Sequence, residues 1–428
     1  MDNVAVALRP LIDRLDRRAP GGRAFALRFW DGSTLEPAHA TANGDAPALV
    51  VRHPDALVRM AHAPGELGLA RAWVSGELDV EGDLEEAMAR TEDWRHAPLR
   101  PADALVALRA GRRLGLLRRP APPPPSIEAR LDGDRHSTDR DAAAIRHHYD
   151  VSNAFYRRML GPTMVYSCAY FASPADTLEE AQTRKLDLVC RKLELAPGER
   201  LLDVGCGWGS LLLHAASAYG VHGVGVTLSP EQASLARERI AQAGLADRVE
   251  IRVQDYREVA DGPYDKIASI GMFEHVGRAN LPRYFAGALR LLRPDGLFLN
   301  HGIVRTARPT ARLGSFSERY VFPDGELHTQ RIVIGALEDA GLELLDDESL
   351  RPHYAETLRR WAANHDAHRA EAVAEIGAER ERVWRLHNVG AALGFERGRL
   401  SVHQVLARPL AGAAPRPLRE RSYAPSGG

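Results

Sequence analysis

The sequence predicts an α/β fold with a mostly parallel sheet, preceded by a smaller α+β domain. Its 428 residues are enough for two domains. From about residue 140, apolar strand-like runs alternate with helical segments, a pattern typical of a parallel sheet with crossover helices. One of these runs leads directly into a glycine-rich turn at residues 205–209. A proline-rich stretch at residues 120–125 separates this region from the N-terminal part and marks a domain boundary.

Charge and cysteine content exclude several classes of protein. The formal net charge is −1, so the chain lacks the basic composition of a nucleic-acid-binding protein. Its three cysteines, Cys168, Cys190 and Cys206, form neither a C-x-x-C pair nor a zinc-binding spacing, and no metal site is expected. Unpaired cysteines are typical of a reducing compartment. The N-terminus carries Asp2 and Arg9 where a signal peptide would have an apolar segment. Both observations favour a cytoplasmic protein.

Residues 1–119 are predicted to form the smaller, accessory domain. Apolar runs at residues 23–31 and 48–51 predict strands, and residues 54–61 and 84–88 predict helices. No catalytic combination of residues stands out in this part of the chain.

A basic amphipathic helix is predicted at the end of this domain. Between residues 100 and 119, arginines and leucines are interleaved and Asp103 is the only acid. Such a helix can lie on an anionic lipid surface, which predicts peripheral association with the inner face of the membrane. It can equally be a solvated helix packed on the protein, so both interpretations stay open. Residues 120–139 are predicted to be a proline-rich linker.

Residues 140–410 are predicted to form the main domain, and residues 411–428, rich in Pro, Gly, Ala and Arg, a disordered tail. Its parallel strands are predicted at residues 200–204, 221–227, 249–253, 264–270 and 296–300. Helices are predicted at residues 230–243 and 281–292. Two late, partly antiparallel strands are predicted at residues 342–350 and 400–406.

The turn after the first parallel strand is the strongest single motif. Residues 201–209 read L-L-D-V-G-C-G-W-G, with Gly205, Gly207 and Gly209 at every second position. Glycines here allow turns that other residues cannot adopt and let a ligand approach the main chain. Dinucleotide sites use G-x-G-x-x-G, whereas G-x-G-x-G is typical of S-adenosylmethionine methyltransferases. The competing interpretation is a glycine-rich turn that binds no ligand.

Polar residues follow each of the five parallel strands. Because ligands of parallel sheets bind beyond the carboxyl ends of the strands, these residues are expected in one crevice. The acid that a dinucleotide site places about 20 residues after its glycines is missing, since Thr227, Leu228 and Ser229 stand there. Gln232 is predicted to bind ribose hydroxyls instead. Asp255 is predicted to bind an adenine amino group, or else is an ordinary loop aspartate.

The main domain resembles the cyclopropane-fatty-acyl-phospholipid synthase and mycolic acid methyltransferase family. The resemblance rests on H-Y-D-V at residues 148–151, P-T-M-V-Y-S-C-A-Y-F at 162–171, the glycine turn, T-L-S-P-E-Q at 227–232, G-M-F-E-H-V-G at 271–277, and Tyr354 with Trp361. It runs from about residue 140 to 410. It implies a Rossmann-like class I methyltransferase fold with a mostly parallel seven-stranded sheet. It also implies two cofactors, S-adenosylmethionine and bicarbonate.

The resemblance assigns residues to both cofactors. The candidate cofactor-binding residues are Tyr166, Ser167, Asp203, Gly205, Cys206, Gly207, Gly209, Thr227, Leu228, Ser229, Gln232, Asp255 and Tyr256. The candidate catalytic residues, which would hold bicarbonate, are Cys168 (mainly through its backbone), Glu274, His301, Ile303 (through its backbone) and Tyr354. Each could instead have an ordinary structural role, such as a small buried cysteine, a helix cap or a core histidine. Gly302 stands where many relatives are expected to carry threonine.

The predicted reaction adds a one-carbon unit to the cis double bond of an unsaturated acyl chain in a membrane phospholipid. Methylation would leave a carbocation, and proton loss would close a cyclopropane. A hydride shift before proton loss would give a methylene- or methyl-branched chain instead. The sequence also leaves open a small-molecule methyltransferase and a non-catalytic lipid-binding protein. A homodimer is possible, and no nucleic acid partner is expected.

Overall fold

The computed structural model describes residues 3–38, 46–95, 97, 100–149, 151–306 and 314–411. Asp150 and the predicted tail from residue 412 onward lie outside the described residues. The chain divides into two compact units. The first comprises residues 1–128, 314–316 and 377–393, and the second residues 129–313, 317–376 and 394–428.

The helices in chain order are α1 (Val4–Asp16), α2 (Asp55–His62), α3 (Glu66–Val74), α4 (Leu84–Arg95), α5 (Pro101–Arg113), α6 (Thr138–Tyr149), α7 (Asn153–Leu160), α8 (Leu178–Lys192), α9 (Ser210–Tyr219), α10 (Pro230–Gln242), α11 (Leu281–Leu291), α12 (Gln330–Asp339), α13 (Arg351–Ala367), α14 (Arg369–Ile376) and α15 (Ala378–Glu396). The strands are β1 (Ala26–Phe29), β2 (Thr34–Leu35), β3 (Ala48–Val51), β4 (Leu78–Glu81), β5 (Arg200–Val204), β6 (His222–Thr227), β7 (Val249–Val253), β8 (Tyr264–Ile270), β9 (Leu292–Arg305), β10 (Leu342–Ser349) and β11 (Leu400–Pro409). None of the described helices is long and apolar enough to cross a bilayer.

The first unit contains a four-stranded sheet in the order β2-β1-β3-β4. Strands β1 and β3 are parallel, and the other pairs are antiparallel. Phe25, Leu27 and Val51 form part of its core together with residues of the surrounding helices. The predicted α+β character of the N-terminal region is therefore confirmed.

A segment that the sequence places in the main domain, residues 377–393, belongs to this first unit. Trp73 and Arg382 exchange backbone-directed hydrogen bonds, Trp73 Nε1 to the Arg382 carbonyl at 2.8 Å and Arg382 Nε to the Trp73 carbonyl at 2.5 Å. The guanidinium also lies 4.3 Å from the centroid of the indole ring. Because the two residues are far apart in sequence, no local pattern could predict this pairing. The predicted linker is likewise divided, at residue 128.

The second unit contains a seven-stranded sheet in the order β10-β11-β9-β8-β5-β6-β7. Strands β7, β6, β5, β8 and β9 are parallel, and β11 pairs antiparallel with both β9 and β10. One apolar core lies on the side of α8, α9 and α10, and another on the side of α11 and α12. This is the predicted doubly wound α/β sheet, including its late antiparallel strands.

Most predicted boundaries in this unit are confirmed to within a residue or two. The main exception is β9, which spans residues 292–305 whereas residues 296–300 are the predicted strand. Local sequence explains the helix starts. Thr177 and Glu180 cap each other's backbone N–H at the start of α8, and Ser229 followed by a proline caps α10. The parallel pairing of β5 to β9 brings the polar residues that follow these strands to one edge of the sheet.

Candidate active site

A cavity of about 960 Å³, counted with its open mouth, lies at the carboxyl ends of β5, β6, β7 and β8. This is the edge of a parallel sheet at which ligands bind. Most of the predicted cofactor-binding residues line it, namely Tyr166, Ser167, Asp203, Gly205, Cys206, Gly207, Thr227, Leu228, Gln232 and Tyr256. The structure thus brings together residues that are separated by up to 90 positions in the sequence.

The glycine turn adopts the backbone conformation that its sequence predicts. Gly205, Gly207 and Gly209 have φ angles of 79°, 53° and 77°, in the left-handed region that other residues rarely adopt. A Cβ at Gly207 would meet no atom within 4 Å, so this position leaves room for a ligand. A Cβ at Gly209 would lie 3.3 Å from the Cβ of Ala236. Gly209 therefore serves the close packing of two helices and does not line the cavity.

Two other predicted cofactor residues also lie off the cavity wall. The Ser229 hydroxyl accepts the Gln232 backbone N–H at 3.2 Å and caps α10. The Asp255 carboxylate is engaged by the Arg257 guanidinium at 2.9 and 2.6 Å. Its neighbour Gln254 lines the cavity instead. Ser229 and Asp255 thus lie off the cavity wall, and the contact of Asp255 with an adenine amino group stays a prediction.

Several residues that line the cavity are not among the predicted cofactor-binding residues: Tyr149, Lys185, Trp208, Gln254, Met272 and His275. Lys185 lies in the middle of α8 and is only 1% exposed. Its Nζ donates a hydrogen bond to the Ser167 hydroxyl at 2.8 Å. Helical periodicity can show that such a lysine faces inward. Which groups surround its ammonium depends on the tertiary fold. His275 belongs to the G-M-F-E-H-V-G motif, so this motif could have identified it as a residue of the site.

Glu274 is in direct contact with another of the predicted catalytic residues, Ile303. Its Oε1 accepts the backbone N–H of Ile303 at 2.6 Å. Its Oε2 is buried and has no hydrogen-bond partner among the described residues. Burial raises the pKa of Glu274 to about 7. Glu274 can therefore gain and lose a proton near neutral pH, and the Ile303 amide, predicted to bind an anion, is in contact with this carboxylate.

His301 precedes Ile303 by two residues on β9, so the two side chains lie on the same face of the strand. It is 2% exposed, and neither ring nitrogen has a hydrogen-bond partner among the described residues. Burial lowers the pKa of His301 well below its ordinary value. The imidazole is consequently neutral at neutral pH and retains both a donor and an acceptor for a polar guest.

Cys168 and Tyr354 are both buried. Burial raises the pKa of the Cys168 thiol, so it stays protonated, as expected for a residue that is not a nucleophile. Burial also raises the pKa of Tyr354, and Cys168 and Glu274 lie close enough to add to this effect. The five predicted catalytic residues, called the polar cluster below, do not line the cavity themselves. Ser167 and His275, the chain neighbours of Cys168 and Glu274, do line it.

Aromatic rings lie close to Tyr166 and Tyr354. The ring centroid of Tyr166 lies 6.0 Å from that of Tyr149 and 5.2 Å from that of Trp361. Trp361 in turn lies 6.0 Å from Tyr354. Faces of aromatic rings attract cations, so the wall suits a ligand that carries a positive charge. The described residues include no group of His, Cys, Asp or Glu that could hold a metal ion.

Residues 136–405 match the family model described as mycolic acid cyclopropane synthetase. The chain is 42% identical over 403 residues to a probable fatty acid methyltransferase of Mycobacterium tuberculosis, covering 91% of this chain and 92% of the relative. It is 35% identical to the tuberculostearic acid methyltransferase UfaA1 of the same organism, covering 94% and 91%. It is 37% identical to the cyclopropane-fatty-acyl-phospholipid synthase of Escherichia coli K12, covering 76% and 79%.

A solved structure agrees with these relatives. The mycolic acid cyclopropane synthase CmaA1, in complex with SAH and CTAB, superposes with a TM-score of 0.59 at 35% identity, covering 62% of this chain and 98% of the other. The superposition covers about the same share of the chain as the matched family model. The chain belongs to the mycolic acid cyclopropane synthetase family and is an S-adenosylmethionine-dependent methyltransferase that acts on fatty acyl chains.

Proposed function

We propose that this enzyme transfers a one-carbon unit from S-adenosylmethionine to the cis double bond of a phospholipid acyl chain and closes it to a cyclopropane. The observation that carries the proposal is the polar cluster. It combines a buried carboxyl that titrates near neutral pH with a neutral histidine, next to a cavity with room for the methyl donor. Methylation of an alkene needs a buried base after the methyl has moved, and the polar cluster supports the presence of one.

The cavity supports the first step. An alkene is a weak nucleophile, so the sulfonium methyl must be aligned over the double bond for the reaction to proceed. The glycine turn provides a surface for the donor, and the rings of Tyr149 and Tyr166 favour its positive charge. The same rings favour the carbocation that methylation leaves in the acyl chain. Apolar walls also exclude the water that would trap this cation.

The polar cluster supports the proton loss. Glu274 is held in place by the Ile303 amide, and its second oxygen remains open for a proton-bearing partner. Because its pKa is raised to about 7, the carboxylate holds a proton more readily than an exposed glutamate does. Tyr354 can donate a hydrogen bond in the same region. His301 can donate or accept one according to its tautomer.

A bound bicarbonate fits these residues. The buried Glu274 Oε2 and both His301 ring nitrogens are polar atoms without partners among the described residues, and a small oxygen-rich anion could pair with them. Glu274, His301, Tyr354 and the backbone at Cys168 would hold it, while the Ile303 N–H, which donates to Glu274 Oε1, would keep that carboxyl in place. When bound, bicarbonate would supply the base for the proton that leaves the methylated chain. A carboxyl with a raised pKa suits such a neighbour, since a shared proton removes the repulsion between two anions.

A second outcome of the same chemistry is a methylene-branched chain, which a separate reductant would convert to a methyl-branched chain. It is favoured by the relative named tuberculostearic acid methyltransferase, which covers more of this chain than the cyclopropane synthase of Escherichia coli does. Both outcomes need the same donor, cation and base. The residues described above therefore support both, and the product distinguishes them.

Helix α5 supports association with a lipid surface. Leu105 and Leu108 are 59% and 53% exposed, and Arg109 and Arg112 are exposed on the same helix. Exposed leucines beside arginines would place apolar side chains among acyl chains and positive charges among anionic headgroups. We propose that α5 brings the enzyme to the inner face of the membrane, where its substrate lies.

The test is an assay of purified enzyme with S-adenosylmethionine, bicarbonate and liposomes of a monounsaturated anionic phospholipid, followed by gas chromatography and mass spectrometry of the fatty acids. A product that is heavier by one CH₂ group and contains no alkene would support the cyclopropane. A heavier product that retains an alkene would move the assignment to the branched-chain reaction. Activity on a soluble acceptor but not on liposomes would refute the phospholipid substrate.

Two variants control this assay. Glu274→Gln removes the proposed proton-handling carboxyl and should reduce turnover by about 10²- to 10⁴-fold. Glu338→Gln makes the same chemical change at an exposed position of α12 and should leave turnover unchanged. Omission of bicarbonate should slow the wild-type enzyme if the polar cluster uses it. An equal rate in bicarbonate-free buffer would refute that part of the proposal.

A further inference from the structure

Two buried side chains of opposite charge face the cavity without pairing to each other. Lys185 is 1% exposed and Asp203, at the end of β5, is 3% exposed. Within the described part of the chain, neither forms an ion pair within 4.0 Å, and the one hydrogen bond of the Lys185 ammonium goes to the Ser167 hydroxyl at 2.8 Å. They still act on each other, because each shifts the other's pKa through its charge. A charge that is buried without a compensating charge or hydrogen bond has an unfavourable desolvation free energy, which a charged ligand can offset.

A second buried lysine on α8 shows how the charge of a purely structural lysine is compensated. Lys192 is also completely buried, and it lies two turns after Lys185 on α8. Its Nζ contacts Glu348 at 2.6 Å and Asp346 at 3.5 Å, so its charge is compensated within the protein. Lys185 has no such compensation among the described residues and lines the cavity. The difference indicates that the partner of Lys185 is supplied by a ligand.

We propose that Lys185 is a positioning residue for the α-carboxylate of S-adenosylmethionine, which it holds both directly and through the Ser167 hydroxyl. Asp203 then faces the α-ammonium. The amino-acid end of the donor is a zwitterion whose two charges are opposite to those of Lys185 and Asp203. Ser167 accepts a hydrogen bond from the lysine and keeps its own O–H for the carboxylate. Anchoring this end fixes where the sulfonium methyl points.

The charge states agree with this assignment. Burial lowers the pKa of Lys185 to about 8 and raises the pKa of Asp203 to about 7. Cys168 and Cys190 also act on Lys185, and burial keeps both as neutral thiols. His214 and His301 interact with Lys185 as well, and burial together with the lysine charge lowers the pKa of each imidazole. The complementary charges therefore coexist near neutral pH. Above about pH 8 the lysine loses its proton in the free enzyme, and the attraction for a carboxylate is lost with it.

Isothermal titration calorimetry of the full-length protein tests this inference with three ligands. S-adenosylmethionine carries both charges, its decarboxylated analogue lacks only the carboxylate, and 5′-methylthioadenosine lacks the whole amino-acid end. We expect the wild-type protein to bind S-adenosylmethionine about 10- to 100-fold more tightly than the decarboxylated analogue. Equal affinity for the two would overturn the proposal without any variant.

The variant Lys185→Met should weaken S-adenosylmethionine about 10- to 100-fold and leave 5′-methylthioadenosine within about twofold. Lys192→Met is the matched control and should lower thermal stability without changing either affinity. Ser167→Ala should show a smaller loss of the same kind, and it keeps the proposal testable if Lys185→Met does not fold. A loss that is equal for all three ligands would assign Lys185 a structural role and refute the proposal. Because binding is measured without lipid, the result does not depend on the product of the reaction.

Discussion

The burial of Glu274 makes a quantitative prediction about the variant Glu274→Gln. In the folded protein the pKa of this carboxyl is about 7, against 4.5 for the free group. A pKa raised by folding means that the protonated form is favoured by the fold. The associated stability is present below pH 4.5 and is lost as the pH rises through 7. Glutamine keeps the shape of the side chain and cannot ionise.

The size of the effect follows from these two values. Between pH 5 and pH 8, the wild-type protein should lose about 2 to 3 kcal/mol of unfolding free energy that the glutamine variant keeps. Any constant cost of the amide, such as an unsatisfied N–H, is the same at both pH values and cancels. All other titrating groups are shared by the two proteins and cancel as well.

Thermal unfolding of both proteins at pH 5 and pH 8, at one scan rate, measures this difference. For a unit of this size, about 2 to 3 kcal/mol corresponds to a relative shift in Tm of about 5 °C. The Tm of the glutamine variant minus that of the wild type should therefore be about 5 °C higher at pH 8 than at pH 5. Its affinity for S-adenosylmethionine should not change, because Glu274 does not line the cavity. A difference in Tm that is the same at both pH values would show that Glu274 is not buried as an acid and would refute the reasoning.

Three further predictions concern other parts of the molecule. Gly302→Ala should lower Tm by several degrees and reduce turnover, because its Cβ would lie 2.1 Å from a buried phenylalanine ring and 3.0 Å from the Glu274 carboxylate. Gly287→Ala, whose Cβ meets no atom within 4 Å, should raise Tm slightly, and a fall in both variants would contradict the argument. Between pH 7 and pH 9, the affinity for S-adenosylmethionine should fall as Lys185 loses its proton while that for 5′-methylthioadenosine stays constant, as calorimetry can measure. Replacing Leu105 and Leu108 by serine should weaken sedimentation with anionic liposomes without changing Tm, and unchanged sedimentation would exclude α5 as the lipid contact.

The order and type of the elements in the main unit could be read from local patterns. Short apolar runs bounded by turn residues predicted β5, β7 and β8 at their observed limits. Caps such as Ser229 before a proline set the helix starts. These features depend on neighbours a few residues away, so a linear pattern contains the necessary information.

The site itself was only partly predictable. Residues at strand ends were expected in one crevice, and most of them line the cavity. Asp255 was expected there too, but the adjacent Arg257 holds its carboxylate. Lys185 went unnoticed, because a lysine in an amphipathic helix gives no sign of whether it will meet solvent, an acid or a ligand. Side-chain direction within a loop and the partner of a buried charge are both decided by distant residues.

The sequence by itself determined the fold class, the strand order along the chain and the family, since these rest on periodicity, turns and contiguous motifs. Only the tertiary structure decided that residues 377–393 join the first unit, that Glu274 and Ile303 share a hydrogen bond, and that Lys192 is paired whereas Lys185 faces the cavity. The physical reason is the range of the interactions involved. Helix and strand formation is governed by neighbours in the chain, whereas burial, charge compensation and pKa depend on every group that folding brings within a few ångströms.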